Sequence, residues 1–164
     1  MKRLALLLAA GVALSGCGLR PLYADGSRGV AAQTLSEISI APISGREGWL
    51  VRTALIDRIG DHGDGARYRL EVKLDDQIQG LGLRSDATTT RERRTLRARY
   101  KLVDTVENRL IVDTTAGSDV GIDIVNSEYA TVAAEQTALE RLAERVADQI
   151  VTRIAVNAGK ADPQ

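Results

Sequence analysis

Arg91, Arg93, Arg97, Arg99 and Lys101 fall on alternate positions of one stretch, Thr88 to Val103 (TTTRERRTLRARYKLV), with Thr95 filling the series. In an extended chain, side chains at period two project from the same face, so these five cations form a stripe. Arg67, Arg69 and Lys73 hold the same parity in the preceding stretch, Ala66 to Asp76, and can join it. Guanidinium groups in such an array bind phosphate or carboxylate, bidentately where the geometry allows. Like charges this close repel. The stripe therefore needs an anionic ligand, counter-ions such as Glu71, Asp75 and Asp113, or solvent screening. A solvated face of this kind also deters edge-to-edge aggregation, which is the plainer use of the same residues.

The rest of the chemical repertoire is sparse. One His and one Cys occur in 164 residues, which excludes a disulfide framework within the chain and a Cys- or His-rich metal site. Asp61, His62 and Asp64 share a turn that is too short for an EF-hand loop and lacks its later Glu. With His62 alone, a Ser-His-Asp arrangement has little support, so neither catalytic nor metal-ligating residues are expected. The chain has no Phe, one Trp and four Tyr, too few rings for a base-stacking surface. Lys and Arg total 22 against 22 Asp and Glu, so nucleic acid is not an expected partner. Neutrality conceals polarity, because residues 104–164 hold eleven acidic and five basic side chains.

Met1-Lys2-Arg3 precedes an apolar run of eleven residues, Leu4 to Leu14. A bilayer-spanning helix needs roughly 20 apolar residues, so the run reads as an export signal. Leu14-Ser15-Gly16-Cys17 then resembles the lipobox of bacterial lipoproteins, and the chain's single Cys lies at the required position. The resemblance implies cleavage before Cys17, a diacylglyceryl thioether on its sulfur and an acyl group on its nitrogen, with no other cofactor. Two or three acyl chains, at about 0.8 kcal/mol per buried methylene, anchor a protein durably to membrane. Gly18 stands where many inner-membrane lipoproteins carry Asp, which implies the outer membrane, on its periplasmic side.

The mature chain opens with a Gly- and Ala-rich tether to about Thr34. Leu35 to Pro42 alternates as a half-buried strand, and Ser44 to Ile59 follows as a helix stopped by Gly60. Three strands come next: Ala66 to Asp76, Thr88 to Val103, and Arg109 to Ala116 with Leu110 and Val112 inward. Gly80 to Ala87 reads as a hairpin connection, with Leu81 and Leu83 at its tip, and Asp119 to Asn126 as irregular. Ser127 then caps a long helix reaching about Val156, whose stripe is Leu139, Leu142, Ala143, Val146, Ile150 and Ile154. The expected fold is an α+β two-layer sandwich of order β-α-β-β-β-α. A four-stranded, mostly antiparallel sheet is covered on one face by two helices. Its parts are a signal peptide (1–16), a lipidated tether (17–34), the folded domain (35–156) and a flexible tail (157–164).

With Cys17-Gly18-Leu19-Arg20-Pro21-Leu22-Tyr23, that element order, and Ser127-Glu128-Tyr129-Ala130 leading into the last helix, the chain resembles the LPS-assembly lipoprotein LptE family. The resemblance implies a non-enzymatic partner of the outer-membrane β-barrel LptD. Such a protein sits in the barrel lumen as a plug, assists barrel assembly, binds lipopolysaccharide and helps deliver it to the outer leaflet. It also gives the basic stripe two candidate ligands, the phosphates of lipopolysaccharide and acidic residues of the barrel wall. The alternative is an auxiliary lipoprotein of a phospholipid-trafficking transporter; a periplasmic hydrolase lacks its catalytic constellation.

Overall fold

The computed structural model describes residues 29–83, 89–125 and 127–160. The export signal, Cys17 and the tether to residue 28 lie outside the described residues, as do 84–88 and the last four residues. The elements are α1 (Val30–Leu35), β1 (Ile38–Ile40), α2 (Gly45–Ile59), β2 (Tyr68–Leu83), β3 (Thr89–Asp104), β4 (Arg109–Asp123) and α3 (Glu128–Lys160). The strands lie in the order β1-β2-β3-β4, with β1 parallel to β2 and the other pairs antiparallel. This is the expected α+β sandwich, with α2 and α3 on one face of a four-stranded sheet.

Even-numbered residues of β2 and β3 form the covered face. Leu70, Val72, Leu96, Ala98, Tyr100 and Leu102 are buried there against Val51, Leu55, Leu142, Val146, Ile150 and Ile154. Every residue assigned to the long helix's apolar stripe is buried. Each such aliphatic side chain contributes about 1.5–3 kcal/mol when withdrawn from water, which holds the helices to the sheet. Gly60 ends α2 at φ 82°, a left-handed conformation that favours Gly. Arg58 then locks α2 to α3, its Nε 2.5 Å from Asp148 Oδ1 and its Nη2 donating to the Glu144 carbonyl at 3.3 Å. Among the described residues no helix is long and apolar enough to cross a membrane.

Several boundaries differ from the sequence expectation. The end of the tether is helical, because Ala31 and Leu35 of α1 bury against the core. The first strand shrinks to Ile38–Ile40, all that β2 pairs in parallel. β2 and β4 run on to Leu83 and Asp123, so Leu81 and Leu83 belong to a strand and the supposedly irregular segment is largely β. Three-strand pairing stabilises these weakly apolar extensions, which local composition does not. Leu110 faces outward at 52% exposure, not inward. The register steps from Leu102↔Val112 to Val103↔Leu110, leaving Ile111 as an inserted residue, and a bulge of this kind flips side-chain parity. α3 extends to Lys160, so the start of the proposed flexible tail is helical.

Candidate functional site

The uncovered face of the sheet carries the odd-numbered residues of β2, β3 and, beyond the bulge, β4. Strand alternation puts Arg91, Arg93, Arg97, Arg99 and Lys101 there in one row, as the spacing predicts. β4 lies alongside, and its pairing sets Asp123 opposite Arg91, Asp119 opposite Thr95 and Asp113 opposite Lys101. Arg91 Nε lies 2.8 Å from Asp123, Arg93 Nε 3.7 Å from Asp119, Arg99 Nε 3.2 Å from Asp113, and Lys101 Nζ 3.9 Å from Asp113. Three of the acidic residues of the C-terminal part of the sequence are thus folded back onto the basic stripe. Hydrogen bonding from Arg99, helped by attraction to Arg99 and Lys101, holds the Asp113 carboxyl below its usual range. Exposed pairs of this kind contribute little to stability because water screens them, so a stronger anion can displace them.

Arg97 is the exception in the row. It faces Gly117 on β4, where no side chain can answer it, and its stem crosses that position: a Cβ at Gly117 would lie 3.3 Å from Arg97 Cγ. Its β2 partner is Asp75, whose two oxygens already accept from the Gln77 amide at 3.1 and 3.2 Å. Among the described residues no carboxylate comes within 4.0 Å of Arg97, nor of Arg69 or Lys73. A shallow polar depression of about 250 Å³, lined by Asp75, Gln77, Arg93, Thr95, Arg97 and Asp119, opens beside it. Among the described residues, Asp113 is the one expected counter-ion that forms ion pairs; Glu71 and Asp75 have none within 4.0 Å, while Asp119 and Asp123 pair with the stripe.

Arg67 belongs to a different constellation. Its Nε lies 3.1 Å from Oδ2 of Asp104, the one fully buried charged residue among those described, and its guanidinium sits 5.3 Å from the Tyr68 ring centroid. Asp104 Oδ1 accepts from the N–H groups of Glu107 (3.1 Å) and Val106 (3.0 Å), closing the turn in which Asn108 takes φ 48°. The Glu107 N–H, then Arg67 and the Val106 N–H, hold the Asp104 carboxyl below its ordinary value against the opposing effect of burial. A depressed carboxylate stabilises the fold above its unfolded pKa, and this stabilisation is lost as pH falls through the folded value. Urea midpoints of the parent should therefore fall steeply below about pH 4. Asp104→Asn should be less stable at neutral pH and decline less steeply; identical slopes would exclude this role.

The covered face holds one ionic group that sequence reasoning missed. Arg94 Nε and Nη2 engage both oxygens of Asp76 (2.9 and 2.5 Å), and its Nη1 donates to the Glu135 carbonyl of α3 at 2.8 Å. Both side chains are largely buried, at 12% and 17% exposure. Parity could have found them: Asp76, Glu92 and Arg94 extend the apolar positions of their strands, so each charge is aimed at the helix layer. His62 lies 2.7 Å through Nε2 from the Ile59 carbonyl, and Asp61 pairs with Arg52 at 3.2 Å. Among the described residues no group of three or more His, Cys, Asp and Glu is placed to hold a metal ion.

Comparison with known proteins adds a family to this geometry. A family model described as lipopolysaccharide-assembly, LptE, matches residues 34–154. Among solved structures, the chain is similar to a protein described as a lipoprotein from Caulobacter crescentus CB15. That pair is 27% identical with a TM-score of 0.66, covering 81% of this chain and 98% of that one. A minor lipoprotein from Acinetobacter baumannii shares the fold at 14% identity and TM-score 0.58, over 74% of this chain and 92% of that one. Rare lipoprotein B from Shewanella oneidensis does so at 14% identity and TM-score 0.56, over 76% and 97%. No curated protein matches the chain.

Proposed function

Because the chain belongs to the LptE lipopolysaccharide-assembly family, we propose that it is the outer-membrane lipoprotein partner of the LptD β-barrel. In this reading Cys17 bears the lipid that tethers it to the periplasmic leaflet, and the folded domain sits in the barrel as plug and assembly partner. Its open sheet face engages the phosphates of lipopolysaccharide during delivery to the outer leaflet. The role asks for binding and shape rather than bond-making.

The observation that carries this reading is the open face itself. Among the described residues Arg97 is a cation with no carboxylate within 4.0 Å, set in a polar depression in the same row as Arg93 and Arg99, whose ion pairs are exposed. A phosphate placed there gains charge-assisted hydrogen bonds and displaces only weak, solvent-screened pairs. The covered face offers no comparable array, since Arg94 is already engaged with Asp76 and Glu135.

Purification of the native protein from membranes in mild detergent tests the assignment. A large β-barrel in near-equal amount, bound lipopolysaccharide, and an intact mass showing acylated Cys17 are the expected results. A dominant inner-membrane partner with bound phospholipid would replace this reading with that of a phospholipid-trafficking lipoprotein.

A further inference from the structure

β4 is the outer strand of the sheet, and its free edge is closed along only part of its length. At Gly117 the side-chain amide of Gln149 on α3 accepts from the Gly117 N–H (3.2 Å) and donates to the Gly117 carbonyl (3.2 Å). Arg153, one helical turn on, donates to the Thr115 carbonyl. Helix α3 thus supplies there the hydrogen bonds a fifth strand would make. Alternation along an antiparallel strand turns the main-chain groups of Asp119, Gly121 and Asp123 outward in the same way. Among the described residues nothing hydrogen-bonds those outward groups.

Beside this open stretch, a groove of about 370 Å³ separates β4 from the first half of α3. Val120, Ile122, Ala133, Ala134, Ala138 and Arg141 line it. Ile122 and Ala138 are buried, yet stand apart from the main core cluster. At Gly121 an added Cβ would meet nothing closer than 4.0 Å. Unpaired strand donors and acceptors next to an apolar trough fit one kind of ligand, an extended peptide that pairs its backbone and buries alternate side chains.

We propose that Asp119 to Asp123 and this groove receive a strand from a different protein. That strand carries basic residues opposite Asp119 and Asp123 and apolar residues opposite Val120 and Ile122. Charge disfavours a second copy of this chain, even though Asp119 and Asp123 each already face one cation, Arg93 and Arg91. Antiparallel self-pairing centred on Gly121 sets Asp119 opposite the other copy's Asp123, and directly opposed like charges destabilise a sheet. Lys or Arg at those positions removes the conflict. The backbone pairing does not require an occupied open face, although Asp119 also faces Arg93 there.

The probe is a labelled peptide, Thr-Lys-Val-Thr-Val-Lys-Thr, titrated into the full-length protein in mild detergent. Saturable binding should slow hydrogen exchange at the Asp119, Gly121 and Asp123 amides. N-methylating one alternate set of peptide amides should weaken binding about tenfold or more, and methylating the other set should not. Asp119→Lys with Asp123→Lys should transfer the preference to the peptide with Glu in place of Lys. Gly121→Pro should abolish binding, since Pro removes an outward N–H. Absence of binding, indifference to both methylated sets (as for an acyl chain in the groove), protection elsewhere, or dimerisation through this edge would each overturn the proposal.

Discussion

Leu142→Ala should lower the stability of the folded chain by about 2–5 kcal/mol. Leu142 is fully buried at the middle of α3, where the helix meets both the sheet and α2. Truncation there loses the transfer free energy of three carbons and leaves a cavity that the packed core closes only in part. The core has little to spare. Its aromatic content is essentially Tyr100, and typical domains hold only about 5–15 kcal/mol of net stability. Urea unfolding of the full chain reads the effect as a lower midpoint at unchanged slope. Glu140→Ala, on the exposed side of the same helix, should leave the midpoint nearly unchanged. Equal effects of the two substitutions would show that α3 is not seated as described.

Removing the open-face cations should damage ligand binding without unfolding the chain. Arg93→Ser, Arg97→Ser and Arg99→Ser together should weaken lipopolysaccharide binding about tenfold or more and flatten its salt dependence. Within that set Arg97→Ser should carry the largest share, because among the described residues its guanidinium has no carboxylate to leave when the phosphate arrives. Arg93 and Arg99 must first part from Asp119 and Asp113. Arg67→Ser is the contrasting substitution. It should leave binding almost intact while lowering the thermal midpoint, since Arg67 serves the buried Asp104. If Arg67→Ser and Arg97→Ser were equivalent in both measurements, the division between the two constellations would be wrong.

How much of this was legible in the sequence follows from which forces leave a local signature. Period-two and period-3.6 patterning located β2, β3, α2 and α3, and identified the row from Arg91 to Lys101, because those patterns record which face meets the core. The same logic placed every stripe residue of α3. It failed where pairing, not composition, makes the strand. Residues 117–123 (GSDVGID) carry two Gly and two Asp and become β because β3 lies beside them. The bulge at Ile111, which turns Leu110 to solvent, has no sequence signature. Helix α1 is a single amphipathic turn and a half in an Ala-rich stretch, too short to stand out. The counter-ions were only partly legible for a different reason. Register does set Glu71 opposite Lys101 and Asp75 opposite Arg97, but the Asp75 carboxylate accepts from Gln77, and the close ion pairs form across to β4 with Asp113, Asp119 and Asp123. Arg94 was readable in principle, since its even parity already aimed it at the helices.

The open face as a phosphate-binding surface is tested most directly by equilibrium binding of two ligands to the full-length protein: intact lipopolysaccharide, and the same molecule with its lipid A phosphates removed. The expected result is a clear preference for the phosphorylated form that disappears in the Arg93, Arg97 and Arg99 triple variant. Equal affinity for both forms, or a preference that survives the triple substitution, would contradict it.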